Sequence, residues 1–117
     1  MDESALAELA ARTCRPIPTG TPRLPGDAWR ALLARLGPGW TVVGDRLRKT
    51  FPFPSFGSAL AFVNQVGVIA DDQDHHPDVH LAWGKAAIEL WTHTVGGLSE
   101  SDFIVAARIE RAHRAGA

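Results

Sequence analysis

The sequence of 117 residues has little of several features that would point to a function. It contains a single cysteine, Cys14, so it can form neither an intrachain disulfide nor a cysteine-based zinc site. We therefore expect a protein of a reducing compartment. The formal net charge is -1, which gives no electrostatic reason to bind nucleic acid or an anionic membrane. A small ligand, recognised locally, is the class of partner that remains.

Long apolar runs are also absent. No stretch approaches the ~20 apolar residues that a membrane helix needs, and the first residues are acidic where a signal peptide would be basic. We predict a cytoplasmic protein with no membrane partner. The length fits one domain, which we place at residues 27–117. It follows an N-terminal arm or linker over residues 1–26, in which Ser4 to Arg12 has the spacing of a short helix and several prolines follow.

Hydrophobic periodicity after the arm predicts the order helix, two strands, helix, two strands, helix. The first helix ends at Gly37, and Ser55 is placed to cap the second. Gly44-Asp45 and Gly84 are the turns of two hairpins. These elements predict an α+β fold, a four-stranded antiparallel sheet with three helices packed on one face. Glu110 falls on the face of the last helix that we expect to be solvated.

The most distinctive stretch is Asp71-Asp72-Gln73-Asp74-His75-His76-Pro77-Asp78. Its first three carboxylates end a predicted helix, where the macrodipole disfavours negative charge, so folding alone does not account for them. Four of the five histidines lie in one short window, at His75, His76, His80 and His93. Histidine titrates near neutral pH, and a cluster of this kind is therefore a candidate for general acid–base catalysis.

Spacing alone leaves three interpretations of this cluster open. It could transfer protons, with the neighbouring aspartates orienting imidazoles or binding N–H groups of a ligand. It could hold zinc or iron, although adjacent histidines are poor joint ligands for one ion. It could also be a hydrogen-bonded polar loop with no chemistry. Nucleophilic catalysis and a phosphate-binding loop lack their motifs.

Several segments together resemble the signature of the pterin-4a-carbinolamine dehydratases. They are Ala70 to Asp78, Trp83, Leu90-Trp91-Thr92-His93, Gly97 to Asp102, and upstream Gly39-Trp40 with Phe51-x-Phe53-x-x-Phe56. The resemblance covers about Asp27 to Ala112. It implies a four-stranded antiparallel sheet with helices on one face and a homo-oligomer, a dimer or more usually a tetramer.

The implied reaction removes water from 4a-hydroxytetrahydropterin to give quinonoid dihydropterin, which regenerates the cofactor of aromatic amino-acid hydroxylases. It needs no metal and no cofactor of its own. His75, His76 and His93 match the family's three active-site histidines. We assign His75 and His93 to proton transfer and His76 to holding the pterin.

Four further residues are candidates for binding the substrate: Asp71, Asp74, Trp83 and Asp102. The family usually has glutamate where Asp71 stands. Asp102 has a second interpretation, as the partner of Ser99 in a capping box of the last helix, and Trp83 has one as a core residue. An alternative function is a non-catalytic binding or assembly module on the same fold, docking a protein through the proline-rich arm and the face that carries Trp91.

Overall fold

The computed structural model describes residues 3–116. Within them lie four α-helices, α1 (Glu3–Ala11), α2 (Gly26–Leu36), α3 (Phe56–Gln73) and α4 (Glu100–Arg114). The four strands are β1 (Thr41–Val43), β2 (Arg46–Pro52), β3 (Asp78–Ala82) and β4 (Lys85–Leu90). The predicted α+β class is confirmed, with four helices instead of three, because the first part of the expected arm forms α1.

The strands form one antiparallel sheet in the order β1-β2-β4-β3. Both predicted hairpins are present, and they join through the pairing of β2 with β4, which sets Leu47 opposite Leu90 and Phe51 opposite Ala86. These four side chains are fully buried, so one face of the sheet forms the floor of the core. The other face carries charged side chains, among which Arg46 and Arg48 both pair with Glu89.

Helix α4 lies at the centre of the helical layer, in contact with α1, α2 and α3. An unbroken run over residues 101–107 of this helix is buried. Such continuous burial is expected of a helix that has neighbours on several sides. A helix at the surface would show a single apolar stripe. Any polar side chain that α4 points inward must therefore find its partners inside the protein.

Helix α1 belongs to the same hydrophobic core, since Leu6 and Leu9 are fully buried within it. Between α1 and α2 the chain runs without regular secondary structure through its prolines. The division into an arm over 1–26 and a domain over 27–117 stays a prediction. None of the helices within residues 3–116 combines the length and apolar character needed to cross a membrane.

Glu110 is buried, so its predicted exposure is wrong. Its carboxylate accepts hydrogen bonds from Trp40 Nε1 at 2.9 Å and from Lys49 Nζ at 2.6 Å, and a third from Arg114 Nε at 2.8 Å. Burial alone would raise the pKa of this carboxyl, but the hydrogen bonds from Lys49 and Trp40 outweigh it and the pKa is lowered. The helical pattern cannot reveal this site because two of the three partners lie on distant segments.

Candidate active site

The loop between α3 and β3 turns His75 inward and His76 outward. Asp74 ends α3 in the left-handed conformation, with φ 50° and ψ 43°, and the His75 N–H donates to the carbonyl of Ala70 at 3.1 Å. Pro77 keeps His76 out of helical geometry. As a result the His75 side chain is 15% exposed and that of His76 is 56% exposed.

The end of β4 brings a second segment to the same place. Thr92 pairs with Gly97 across a short turn, with its N–H donating to the Gly97 carbonyl at 2.9 Å, and His93 begins the 3₁₀ helix inside that turn. Because the end of β4 pairs with the start of β3, at Asp78 opposite Glu89, the two histidine-bearing segments lie at one end of the sheet.

Asp102, fully buried in the first turn of α4, joins these segments. One carboxylate oxygen lies 2.6 Å from His75 Nε2. The other accepts from the Thr92 hydroxyl at 3.0 Å and from the Ser99 N–H at 3.0 Å. The predicted capping box of Ser99 and Asp102 is confirmed. It uses only one oxygen, so Asp102 caps α4 and contacts His75 at the same time.

His75 also lines a cavity of about 250 Å³, which we call the His75 cavity. Nε2 of the His75 ring contacts Asp102, and Nδ1 of the same ring has no hydrogen-bond partner among residues 3–116. An ionised carboxylate can only accept, so a neutral His75 ring carries its proton on Nε2 and leaves Nδ1 as an acceptor. Nδ1 is therefore the ring nitrogen that can exchange a proton with a ligand.

Of the other predicted site residues, only Asp74 lines the His75 cavity; Asp71, His76, Trp83 and His93 do not. Asp74 lines it, together with Thr92 and Thr94 on either side of His93. The His93 ring is exposed and packs against Trp91, with ring centroids 3.8 Å apart and ring planes tilted by 42°. His76 forms an exposed pair with Asp71, Nε2 to Oδ1 2.9 Å.

Trp83 lies at the tip of the β3–β4 hairpin. The five residues of β3, at ~3.3 Å each, separate it from the end of the sheet where the histidines lie. Its interpretation as a core residue is wrong, since it is 75% exposed. Alternation along β3 assigned it to the inner face, but the hairpin turns there, with φ 81° at Gly84.

Residues of the predicted arm also line the His75 cavity, which was not predicted from the sequence. Cys14, Arg15, Pro16 and Ile17 form one of its walls. Gln73 holds this wall in place by accepting from the Cys14 N–H at 2.8 Å. The only sequence signal for this contact was Gln73 itself, an amide side chain among the aspartates of residues 71–78.

The Cys14 thiol is part of that wall. Burial raises its pKa, and Sγ lies 3.7 Å from the Ser101 carbonyl. A protonated, half-buried thiol is a packing group and not a nucleophile. Within residues 3–116, no three His, Cys, Asp or Glu side chains are grouped so that they could hold a metal ion; the two histidine–aspartate contacts of the site are separate pairs.

A comparison with known families bears on this geometry. The sequence profile described as pterin 4 alpha carbinolamine dehydratase matches residues 22–112. The chain belongs to this family. The resemblance seen in the sequence is thereby confirmed, and the match begins at Pro22, after the residues 14–17 that line the His75 cavity.

Members of the pterin carbinolamine dehydratase family are close relatives over nearly the whole chain. A Rubrobacter xylanophilus protein is 46% identical, covering 91% of this chain and 99% of its own. An Alkaliphilus metalliredigens protein is 41% identical, covering 88% and 94%. Both carry the provisional name pterin-4-alpha-carbinolamine dehydratase, which is the name of a hydro-lyase.

A solved structure has the same fold. The crystal structure of a transcriptional coactivator/pterin dehydratase from Brucella melitensis matches with a TM-score of 0.72 at 28% identity. The match covers 76% of this chain and 96% of that one. The family's fold therefore accounts for the sheet and helices described above.

Proposed function

We propose that this member of the pterin carbinolamine dehydratase family removes water from 4a-hydroxytetrahydropterin at the His75 cavity by histidine acid–base catalysis. The observation that carries the proposal is the contact of His75 Nε2 with the buried carboxylate of Asp102 at 2.6 Å. A buried carboxylate that holds one ring nitrogen orients the imidazole and leaves the other nitrogen to the substrate.

The chemistry requires two proton movements. A proton delivered to the 4a-hydroxyl oxygen lets the C4a–O bond break, with water as the leaving group. Removal of the N5 proton lets the electron pair of N5 form the C4a=N5 double bond of the quinonoid product. One proton is gained by the substrate and one is lost, so two imidazoles of opposite protonation state suffice.

Different observations support the roles that we assign to the three histidines. His75, held by Asp102, is the proton-transfer group for which the geometry argues most directly. We assign the second proton transfer to His93, whose neighbours Thr92 and Thr94 line the cavity. We assign His76, paired with Asp71 at the surface, to holding the pterin ring. The aspartates can accept hydrogen bonds from the N–H groups of the pterin.

Stopped-flow decay of the carbinolamine at neutral pH tests the proposal. We expect the wild type to accelerate decay over buffer and a His75→Ala/His93→Ala double variant to lose that acceleration. His80→Ala is the matched control, since His80 is an exposed histidine on β3 that does not line the cavity. No acceleration by the wild type, or full activity of the double variant, would reject the mechanism.

We also propose that the chain forms a homo-oligomer. Phe56, Leu60 and Val68 on α3 are exposed, Val68 to 71%, and α3 has no partner on that side within residues 3–116. Light scattering of the wild type and of Val68→Glu checks this, and we expect the substitution to shift the oligomer towards monomer.

Recycling of a hydroxylase cofactor and the cytoplasmic location stay predictions.

A second candidate function is a partner-binding module. It is favoured by the Brucella melitensis neighbour, which is described as a transcriptional coactivator as well as a pterin dehydratase. A pulldown that captures a stoichiometric protein partner, unaffected by His75→Ala, together with no dehydratase activity, would support the module. Dehydratase activity that depends on His75 would support the enzyme.

A further inference from the structure

We propose that a second cavity, beneath residues 13–22, binds the substituent that the pterin substrate carries on C6, and that Arg15 selects substituents that bear hydroxyl oxygens. The inference rests on the proposed function, because it places the pterin ring in the His75 cavity. It adds a specificity site formed by the segment between α1 and α2.

The two cavities share one wall. The second has a volume of about 290 Å³, and residues 14–17 and Ser101 line it as they line the His75 cavity. Pockets for drug-sized ligands usually measure ~300–1,000 Å³. The His75 cavity of about 250 Å³ is below that range, and the two together fall within it. A bicyclic ring that lies in the first cavity with its C6 edge at the shared wall places its substituent in the second.

The shared wall is fixed on both sides. The Cys14 N–H donates to Gln73 at 2.8 Å, and the Leu24 N–H donates to the Leu98 carbonyl at 2.9 Å. The segment between these anchors contains Pro16, Pro18 and Pro22, whose rings restrict the backbone. A segment held in this way forms a wall before the ligand binds, so little ordering cost is added on binding.

The lining of the second cavity favours a short chain that has both apolar and polar parts. Its apolar part comes from Ile17, Pro18, Pro22, Leu24 and Ile104. Glu100 adds a carboxylate, 3.6 Å from the guanidinium of Arg12. A hydroxyalkyl chain presents carbons to the apolar wall and oxygens to a donor.

Arg15 supplies that donor. Its side chain is exposed, lines both cavities, and has no hydrogen bond or ion pair among residues 3–116. Arg12 and Arg23 on the same part of the chain are paired, with Glu8 and Asp45. A guanidinium carries five N–H donors and no acceptor, so Arg15 has free donors at the place where a substituent would leave the ring.

Binding titrations with two stable pterins test the inference. The probes are 7,8-dihydrobiopterin, which carries a dihydroxypropyl group on C6, and 7,8-dihydropterin, which has no substituent. For Arg15→Ala we expect the Kd of dihydrobiopterin to rise about tenfold, as for a lost charge-assisted hydrogen bond, and the Kd of dihydropterin to stay within about twofold. Thr21→Trp, at a residue that lines only the second cavity, should discriminate between the probes in the same direction.

Arg23→Ala is the matched control, since Arg23 lies on the same segment and lines neither cavity. It should leave both dissociation constants unchanged. Equal weakening of both probes by Arg15→Ala, or no weakening of either, would overturn the inference while wild-type dehydration of the carbinolamine kept the proposed function. If the wild type bound neither probe and did not accelerate dehydration, both proposals would fail.

Discussion

Asp102 and Glu110 are buried carboxylates on the same helix, and their partners differ in kind. Asp102 accepts from a histidine, a hydroxyl and a backbone N–H. Glu110 accepts from Lys49, Arg114 and the indole of Trp40. The lysine and the arginine stay charged at neutral pH, whereas a histidine can gain or lose its proton there.

This difference separates a catalytic position from a structural one. Glu110 is held by groups that stay charged at neutral pH; Lys49 also lines a cavity of about 470 Å³, but the main effect of this ion-pair network is on stability. Asp102 contacts a histidine that lines the His75 cavity, so a change there reaches a group that can exchange a proton with a ligand. A buried carboxylate near a cavity therefore does not by itself identify an active site; the histidine partner is what distinguishes Asp102.

The largest effect is expected for Asp102→Asn. The amide would present N–H to His75 Nε2 and force the ring proton onto Nδ1, the nitrogen assigned to the substrate. We expect the rate of carbinolamine dehydration to fall about 10³-fold, within the usual range for a lost acid–base group. Asp78→Asn, at an exposed carboxylate paired with Arg46, is the control. A loss below tenfold would contradict the role of Asp102.

Glu110→Gln should have the next largest effect, on stability instead of activity. Removing one charge of a buried pair leaves Lys49 without its counter-charge, and we expect a loss of about 3 kcal/mol in the free energy of unfolding. Urea denaturation measures it. Glu89→Gln, at a carboxylate paired on the outer face of the sheet, should cost less than about 1 kcal/mol. Equal losses in the free energy of unfolding for Glu110→Gln and Glu89→Gln would contradict the structural role of Glu110.

The contribution of Glu110 to the free energy of unfolding should depend on pH. The pKa of Glu110 is lowered in the folded state, so its stabilisation is present above the ordinary glutamate pKa of about 4.3. It is lost as the pH falls below that value towards the lower folded pKa. Denaturation of wild type and Glu110→Gln between pH 7 and pH 3 checks this. We expect the shallower acid loss in Glu110→Gln, and identical slopes would contradict it.

His76→Ala should have the smallest effect on stability. The His76–Asp71 pair is exposed, and such pairs contribute about 0.2–1 kcal/mol. If His76 holds the pterin, KM for the carbinolamine should rise while kcat changes little. A fall in kcat with KM unchanged would instead assign His76 to proton transfer and require the roles of the histidines to be exchanged.

Local patterns predicted most of the fold and part of the site. The hairpins at Gly44-Asp45 and Gly84, the cap at Ser55 and the box of Ser99 with Asp102 all depend on residues a few positions apart. Glu110 and Gln73 were missed because their partners Lys49 and Cys14 lie 61 and 59 positions away. Such pairings follow from tertiary packing, which neither periodicity nor local spacing records.

The packing of α1 against α4 has a consequence for how the protein is made. Leu6 and Leu9 are synthesised early, but the helix they pack against is synthesised only after the whole sheet. The helix that carries Asp102 thus completes the core and the His75 cavity in one late step. We expect a nascent chain that stops before Glu100 to be readily cleaved by proteases and unable to bind a pterin, whatever the state of its hairpins.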